Sequence, residues 1–196
     1  MNRTKRTRPK YKAVDFSHLL GNVKGISDEL MKIHFKLYEG LVDATNKAIS
    51  IIDKGNTKNM VEYSSVQKQL PLFFNGMRLH ELYFGSMGKG DMSDELFRAI
   101  RQSFGSIDKW KANFMATGNI PAVGFVCLMQ DKKNDQLYNI WINEFNVGEL
   151  VGVEILLVMD MWEHAYLCEF GLNTTKYQET FLNNVNWATV SKRFSQ

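Results

Sequence analysis

Asp160-Met161-Trp162-Glu163-His164-Ala165-Tyr166 is the stretch from which the rest of the chain is best read. It sets a carboxylate and an imidazole four residues apart, at the end of the apolar segment Glu154 to Asp160, whose composition predicts a strand. Asp160 then leaves a sheet facing whatever covers it, and His164 can return to the same point from the following turn. Upstream, His34 and His80 each sit alone on an apolar helical stripe. Singly, each residue has a plain explanation: a lone histidine on such a stripe is usually a core residue with one hydrogen bond, and an aspartate after a strand is usually a turn or cap. Together, buried histidines on adjacent helices beside an Asp-x-x-x-His pair need a shared partner for several polar groups. A metal ion supplies it. Three imidazoles and one carboxylate make an N3O donor set, which a redox metal can use and a structural thiolate zinc site cannot provide. The chain has four histidines, and three of them are ligands on this reading.

Far upstream of that motif, from Ser27 onward, the pattern is helical. Ser27 can N-cap, Asp28 and Glu29 suit the positive end of a helix dipole, and Leu30, Ile33, Leu37 and Leu41 recur at helical spacing. A second helix is expected from about Ser64 to Gly85, with a kink or restart at Pro71 and a buried face of Phe73, Met77, His80 and Phe84. No strand signal separates the two, so they read as a helical hairpin. The glycine-rich break Gly85 to Asp91 marks a domain boundary. Short helices start at Ser93 and Ser106. Gly124 to Gln130, Leu137 to Asn143 and Glu154 to Asp160 then predict a small antiparallel sheet, its first two strands joined by a hairpin turn over Asp131 to Asp135. Tyr177, Phe181 and Val185, then Trp187, Val190 and Phe194, close the chain with helical turns. The fold class is α+β: a helical hairpin domain over 16–88, then a domain over 89–196 with a three-stranded antiparallel sheet flanked by helices.

Composition narrows the setting. A chain of 196 residues with ordinary hydrophobicity can bury a sizeable core, and its longest apolar run, Val151 to Met161, is too short and too charged to cross a bilayer. Net charge is +3, yet Arg3, Lys5, Arg6, Arg8, Lys10 and Lys12 fall in the first twelve residues, leaving 18 basic against 21 acidic elsewhere. The body is therefore slightly acidic, and residues 1–15 read as a basic disordered arm, the one route by which nucleic acid or an anionic surface would be engaged. Pro9 and the lack of an apolar face argue against a targeting helix. Cys127 and Cys168 lack metal or redox spacing and fit free thiols in a reducing compartment, the cytoplasm, with the mitochondrial matrix as the alternative.

On these residues the chain resembles the iron/manganese superoxide dismutase family from about Phe16 to its C-terminus. Asp160 to Tyr166 matches that family's Asp-x-Trp-Glu-His-Ala-Tyr motif; His34 in Ile33-His-Phe-Lys-Leu-Tyr38 and His80 in Phe74-Asn-Gly-Met-Arg-Leu-His80 fall where its two helical ligands lie. Phe104 to Lys111 and Asn186-Trp187 match further patterns. The resemblance implies dismutation of superoxide at one iron or manganese ion per subunit, held by His34, His80, Asp160 and His164 with Trp162 and Tyr166 around it. It further implies a homodimer or dimer of dimers, in which Glu163 reaches His164 of the partner subunit. Departures cluster around the ligands. Leu41 and Val42 stand where many members have a channel tyrosine, Gly76 at the iron-type glutamine position, Phe145 where histidine often stands, and Phe125 in place of tryptophan. Glu144, Asn146 and Tyr83 are the candidates for a replacement hydrogen-bond donor. The competing reading is a dismutase-fold structural or interaction subunit, weak or inactive as a catalyst, using the basic arm as its contact.

Overall fold

A computed structural model describes residues 8–55 and 57–196. Ser27 caps α1 (Asp28–Lys54): its Oγ accepts from Leu30 N, Asp28 and Glu29 follow in the first turn, and Gly55 at φ 62° ends the helix. The buried face of α1 is Leu30, Met31, His34, Tyr38, Val42, Thr45 and Ala48. This corrects the expected stripe in phase. Ile33 is 54% exposed, because the aliphatic count alone fixes a helix's period but not which face turns inward, and here Tyr38, Thr45 and His34 belong to the buried set.

The second helix, α2 (Met60–Gly85), begins a turn before the expected start, since Asn59 accepts from Glu62 N as its cap. Pro71 interrupts nothing: it lies inside one unbroken helix, at an exposed position. Its missing N–H and ring are tolerated where the ladder meets water and the flanking turns are held by packing. Buried residues are confined to the C-terminal half, where Gly76, Met77, Leu79, His80, Tyr83 and Phe84 face α1 and the sheet.

Beyond the hairpin come α3 (Asp94–Phe104) and α4 (Ile107–Gly118), capped by Ser93 and Ser106 as their sequences predict. Strands β1 (Gly124–Asp131), β2 (Gln136–Asn143) and β3 (Val153–Asp160) form an antiparallel sheet in the order β2-β1-β3. The register pairs Phe125 with Ile142 on one side and with Asp160 on the other. Gly124 opens β1 because a Cβ there would lie 2.1 Å from the Ile142 carbonyl oxygen. The same residue's carbonyl accepts from Met161 N at 2.9 Å, which pins the end of β3. A short α5 (Leu167–Phe170), then α6 (Thr174–Asn183) and α7 (Trp187–Phe194), complete the α+β architecture.

One apolar cluster runs from Phe16 to Val190 and includes all but the last residue of β1 save Gly124 and Gln130. Residues 8–15, expected to be part of a disordered arm, are instead laid across the hairpin. The Asn46 side chain bonds both Tyr11 N and Tyr11 O at 2.9 Å, and Val14 N donates to the Tyr38 hydroxyl at 2.9 Å. Basic composition misled here because the anchors are backbone groups and one aromatic, Tyr11, packed edge-on against Phe74. The remainder of that arm, residues 1–7, lies outside the described residues.

Candidate metal centre

Four elements deliver one side chain each. His34 comes from the buried face of α1, His80 from α2, Asp160 from the last position of β3, and His164 from the 3-10 turn that follows. One ligand atom from each lies within 4.8 Å of all the others. At the centre is a single oxygen. Asp160 Oδ2 is 3.1 Å from His34 Nε2, 3.2 Å from His164 Nε2 and 3.5 Å from His80 Nε2.

The second oxygen of Asp160 is used for positioning. Oδ1 accepts from Trp162 N at 2.8 Å, an Asx turn that reverses the chain after β3 and swings His164 back toward the carboxylate. The backbone carbonyl of Asp160 accepts from the Tyr177 hydroxyl at 2.7 Å, and Tyr83 in turn donates to the Tyr177 oxygen at 3.1 Å. His80 is oriented from behind, its Nδ1 donating to Gly76 O at 2.6 Å, which leaves Nε2 unprotonated and pointing inward. That Nε2 is buried without a hydrogen-bond partner. A buried, unprotonated imidazole nitrogen in this state is suited to donate its lone pair to a cation. Bonds of about 2.1 Å to one shared ion would span a donor set this compact with small adjustments. The residues present therefore fit a mononuclear N/O-ligated metal.

Electrostatics prepare the donors for such an ion. Burial, reinforced by the neighbouring His34, pushes the His80 imidazole down to about 3. Burial likewise lowers His34, outweighing its hydrogen bond to Asp160. Burial alone would raise the Asp160 carboxyl, but its contacts with His164 and His34 hold it well below the usual carboxylate range. Neutral imidazoles beside an ionised carboxylate have no proton to displace on binding a cation. His34, His80 and Asp160 are shut off from solvent, whereas the His164 side chain is 20% exposed.

The family description "Iron/manganese superoxide dismutases, C-terminal domain" matches residues 92–193. The chain belongs to the iron/manganese superoxide dismutase family. Among its relatives, a "Superoxide dismutase [Fe]" of Methanothermobacter thermautotrophicus is 31% identical over 177 residues, covering 86% of each protein. One of Aquifex aeolicus with the same name is 30% identical over 186 residues, 89% of this chain and 87% of the relative. A "Superoxide dismutase [Mn/Fe]" of Aeropyrum pernix is 28% identical over 179 residues, covering 87% and 84%.

Around its ligands this family member is lined with rings. His80 contacts Phe125 edge-on at 5.7 Å and Phe145 at 6.1 Å; Phe145 stacks on Trp162 at 4.8 Å, and Trp162 on His164 at 5.8 Å. A Cβ on Gly76 would lie 3.1 Å from Phe145 and 3.2 Å from Leu41, so those two side chains already fill the space a longer residue would need. Of the replacement donors anticipated, Tyr83 packs its ring on His34 but gives its hydroxyl hydrogen to Tyr177. Glu144 is exposed at φ 52°, and no hydrogen bond joins Asn146 to the four residues. Glu163 is exposed; with Met161 and Tyr166 it lines a cleft of about 530 Å³ on the outer side of the turn. Sequence reading missed two residues that touch the centre. Tyr177 holds the Asp160 backbone, and Tyr38 stacks on His80 at 6.4 Å while donating to Glu81 at 3.0 Å. Tyr38 lies one turn beyond His34 on the same face, and that spacing was the available signal.

Proposed function

We propose that the protein dismutates superoxide at one iron or manganese ion held by His34, His80, Asp160 and His164. The observation that carries this is the convergence of the four on one point, with His80 Nε2 buried and unpartnered. When bound, the ion supplies an alternating one-electron couple, through which one superoxide is oxidised to dioxygen and a second, with two protons, is reduced to hydrogen peroxide. The protein's own part is to hold an anionic carboxylate and neutral imidazoles in place through the Trp162, Tyr177 and Gly76 hydrogen bonds. The surrounding rings exclude bulk water, which strengthens every charge interaction at the centre. Metal analysis of the purified protein together with superoxide removal is the test. One iron or manganese per chain with turnover above that of the free ion is expected, and bound metal with no such turnover would reject the proposal.

A second reading has a specific observation in its favour. Phe145 and Leu41 occupy the space against Gly76, and the Tyr83 hydroxyl is committed to Tyr177. Outer partners of a metal centre commonly govern about 10–100-fold in affinity or activity, so a slow or catalytically silent family member fits a centre lined this way. Turnover per bound metal separates the two readings. We also propose a homodimer in which Glu163 reaches His164 of the partner subunit; Glu163 is exposed, and the His164 side chain is 20% exposed. Free thiols at Cys127 and Cys168 support a reducing compartment, the cytoplasm.

A further inference from the structure

We propose that the outer face of α1, together with the N-terminal segment beside it, binds the phosphate backbone of duplex nucleic acid without regard to sequence. This site is remote in kind from the metal centre, and it stands whether or not the chain turns over superoxide. Lys10, Asp43, Asn46, Lys47, Ser50, Ile51 and Lys54 line a surface cleft of about 460 Å³. Positions 43, 47, 50, 51 and 54 follow helical spacing, so one face of α1 forms its floor over roughly 16 Å. That length matches the rise of about five nucleotides of one duplex strand.

Three features make the cleft a polyanion site rather than a scatter of surface lysines. Lys10 lies between two attachments of the chain: Arg8, two residues before it, pairs with Asp53 at 3.3 Å, and Tyr11, next after it, is clamped by Asn46 through both its backbone groups. The cleft's three lysines are uncommitted, since no ion pair within 4.0 Å joins Lys10, Lys47 or Lys54 to a carboxylate among the described residues. Asp43 is the single acid in the lining, and the Asp53 charge is taken up by Arg8. Finally, basic residues are concentrated in the segment that borders the cleft. Arg8, Lys10 and Lys12 stand together in the described part of the segment, while the protein beyond residue 12 is net acidic, so the basic surplus at this cleft is set against an acidic body.

The same observations choose the partner. A lipid surface asks for apolar side chains to insert beside the basic ones, but Tyr11, the aromatic of this segment, is packed on Phe74 and covered by Arg78 at 5.1 Å. Single strands are gripped by stacking on free aromatic rings, and the cleft offers none. Backbone contact to a duplex needs only cations at fixed spacing.

Fluorescence anisotropy of the full chain with a labelled 20-base-pair duplex, titrated against salt, tests the proposal. Each phosphate contacted contributes about −0.9 to the slope of log K against log salt. The combined substitution Lys10→Gln, Lys47→Gln and Lys54→Gln is expected to make that slope shallower by about 2.7 and to weaken binding more than tenfold at low salt. Lys47→Gln alone is expected to remove about 0.9, a smaller change that also guards against misfolding of the triple variant. Unchanged affinity in the triple variant, tighter binding to a single strand of equal length, or retention on phosphatidylserine vesicles with none on duplex would each overturn the proposal.

Discussion

Asp160 divides its duties between its two oxygens, and the centre depends on that division. Oδ1 fixes the turn to Trp162, while Oδ2 faces three imidazoles. Asp160→Ala and His80→Ala are each expected to reduce bound metal from about one ion per chain to near zero, read by elemental analysis after dialysis. Asp160→Asn should keep the Trp162 contact and still lose metal, because the anionic donor is gone. Phe145→His would put a donor where a ring now lies between Trp162 and His80. If the missing donor limits turnover, activity per bound metal should rise, on the order of tenfold; unchanged turnover would assign that task to another residue. Gly76→Gln is expected to fail differently. Its side chain must displace Phe145 and Leu41 from contacts of 3.1 and 3.2 Å to the new Cβ, an overpacking cost of about 1–3 kcal/mol measurable by denaturant unfolding. The four converging residues were legible because histidine is scarce and two of the three stand alone on apolar stripes. Tyr38 and Tyr177 were not, since helical spacing puts Tyr38 on the His34 face without showing that its ring packs on His80, and the bond from the Tyr177 hydroxyl to Asp160 O leaves no local pattern.

At the scale of elements, caps were the clearest text in the chain. Ser27, Ser93 and Ser106 each accept from the amide three residues on, as a serine before an acidic first turn predicts. Strand positions were equally plain, because β-branched and aromatic residues cluster there and the Asp131 to Asp135 turn separates two of them. The hidden part was what holds segments that have no regular structure. Between Arg8 and Ser27 the chain is fastened by asparagines acting on backbone groups: Asn46 on Tyr11, and Asn184 on Lys24, whose N–H and C=O it meets at 2.8 and 2.7 Å. Such pairings join residues up to 160 apart in sequence and leave no local pattern. Asn46→Ala is expected to free the segment over α1 at a local cost of about 1–2 kcal/mol, read as faster amide exchange at Tyr11 with the global unfolding midpoint nearly unchanged. Arg193 performs a comparable service from α7, donating to Ser86 Oγ, Leu156 O and Leu82 O. It thereby ties the C-terminal end of α2, which carries His80, to the strand that carries Asp160.

For the molecule as a whole, one ion would cross-link α1, α2, the end of β3 and the turn after it, segments drawn from positions 34 to 164. Binding to the folded chain alone stabilises by about 2.7 kcal/mol at a hundredfold excess over Kd, so chelation should lower Tm and the loss should reverse on adding iron or manganese. The metal-free protein should in addition be acid-labile in a defined window. His80 falls to about 3 in the folded state against roughly 6.5 unfolded, so between those values the unfolded chain holds the extra proton. Stability accordingly declines as pH drops below about 6.5, by an amount on the order of a few kcal/mol. Asp160 acts in the same direction at lower pH: its folded carboxyl is depressed, and the stability it contributes above about 4 is lost as acid protonates it. Denaturant midpoints of the chelated protein between pH 7 and 4 should therefore fall steadily, and His80→Gln, which cannot take up that proton, should flatten the upper part of the decline. A chelated protein equally stable at pH 7 and 5 would show that His80 is not held neutral in the fold.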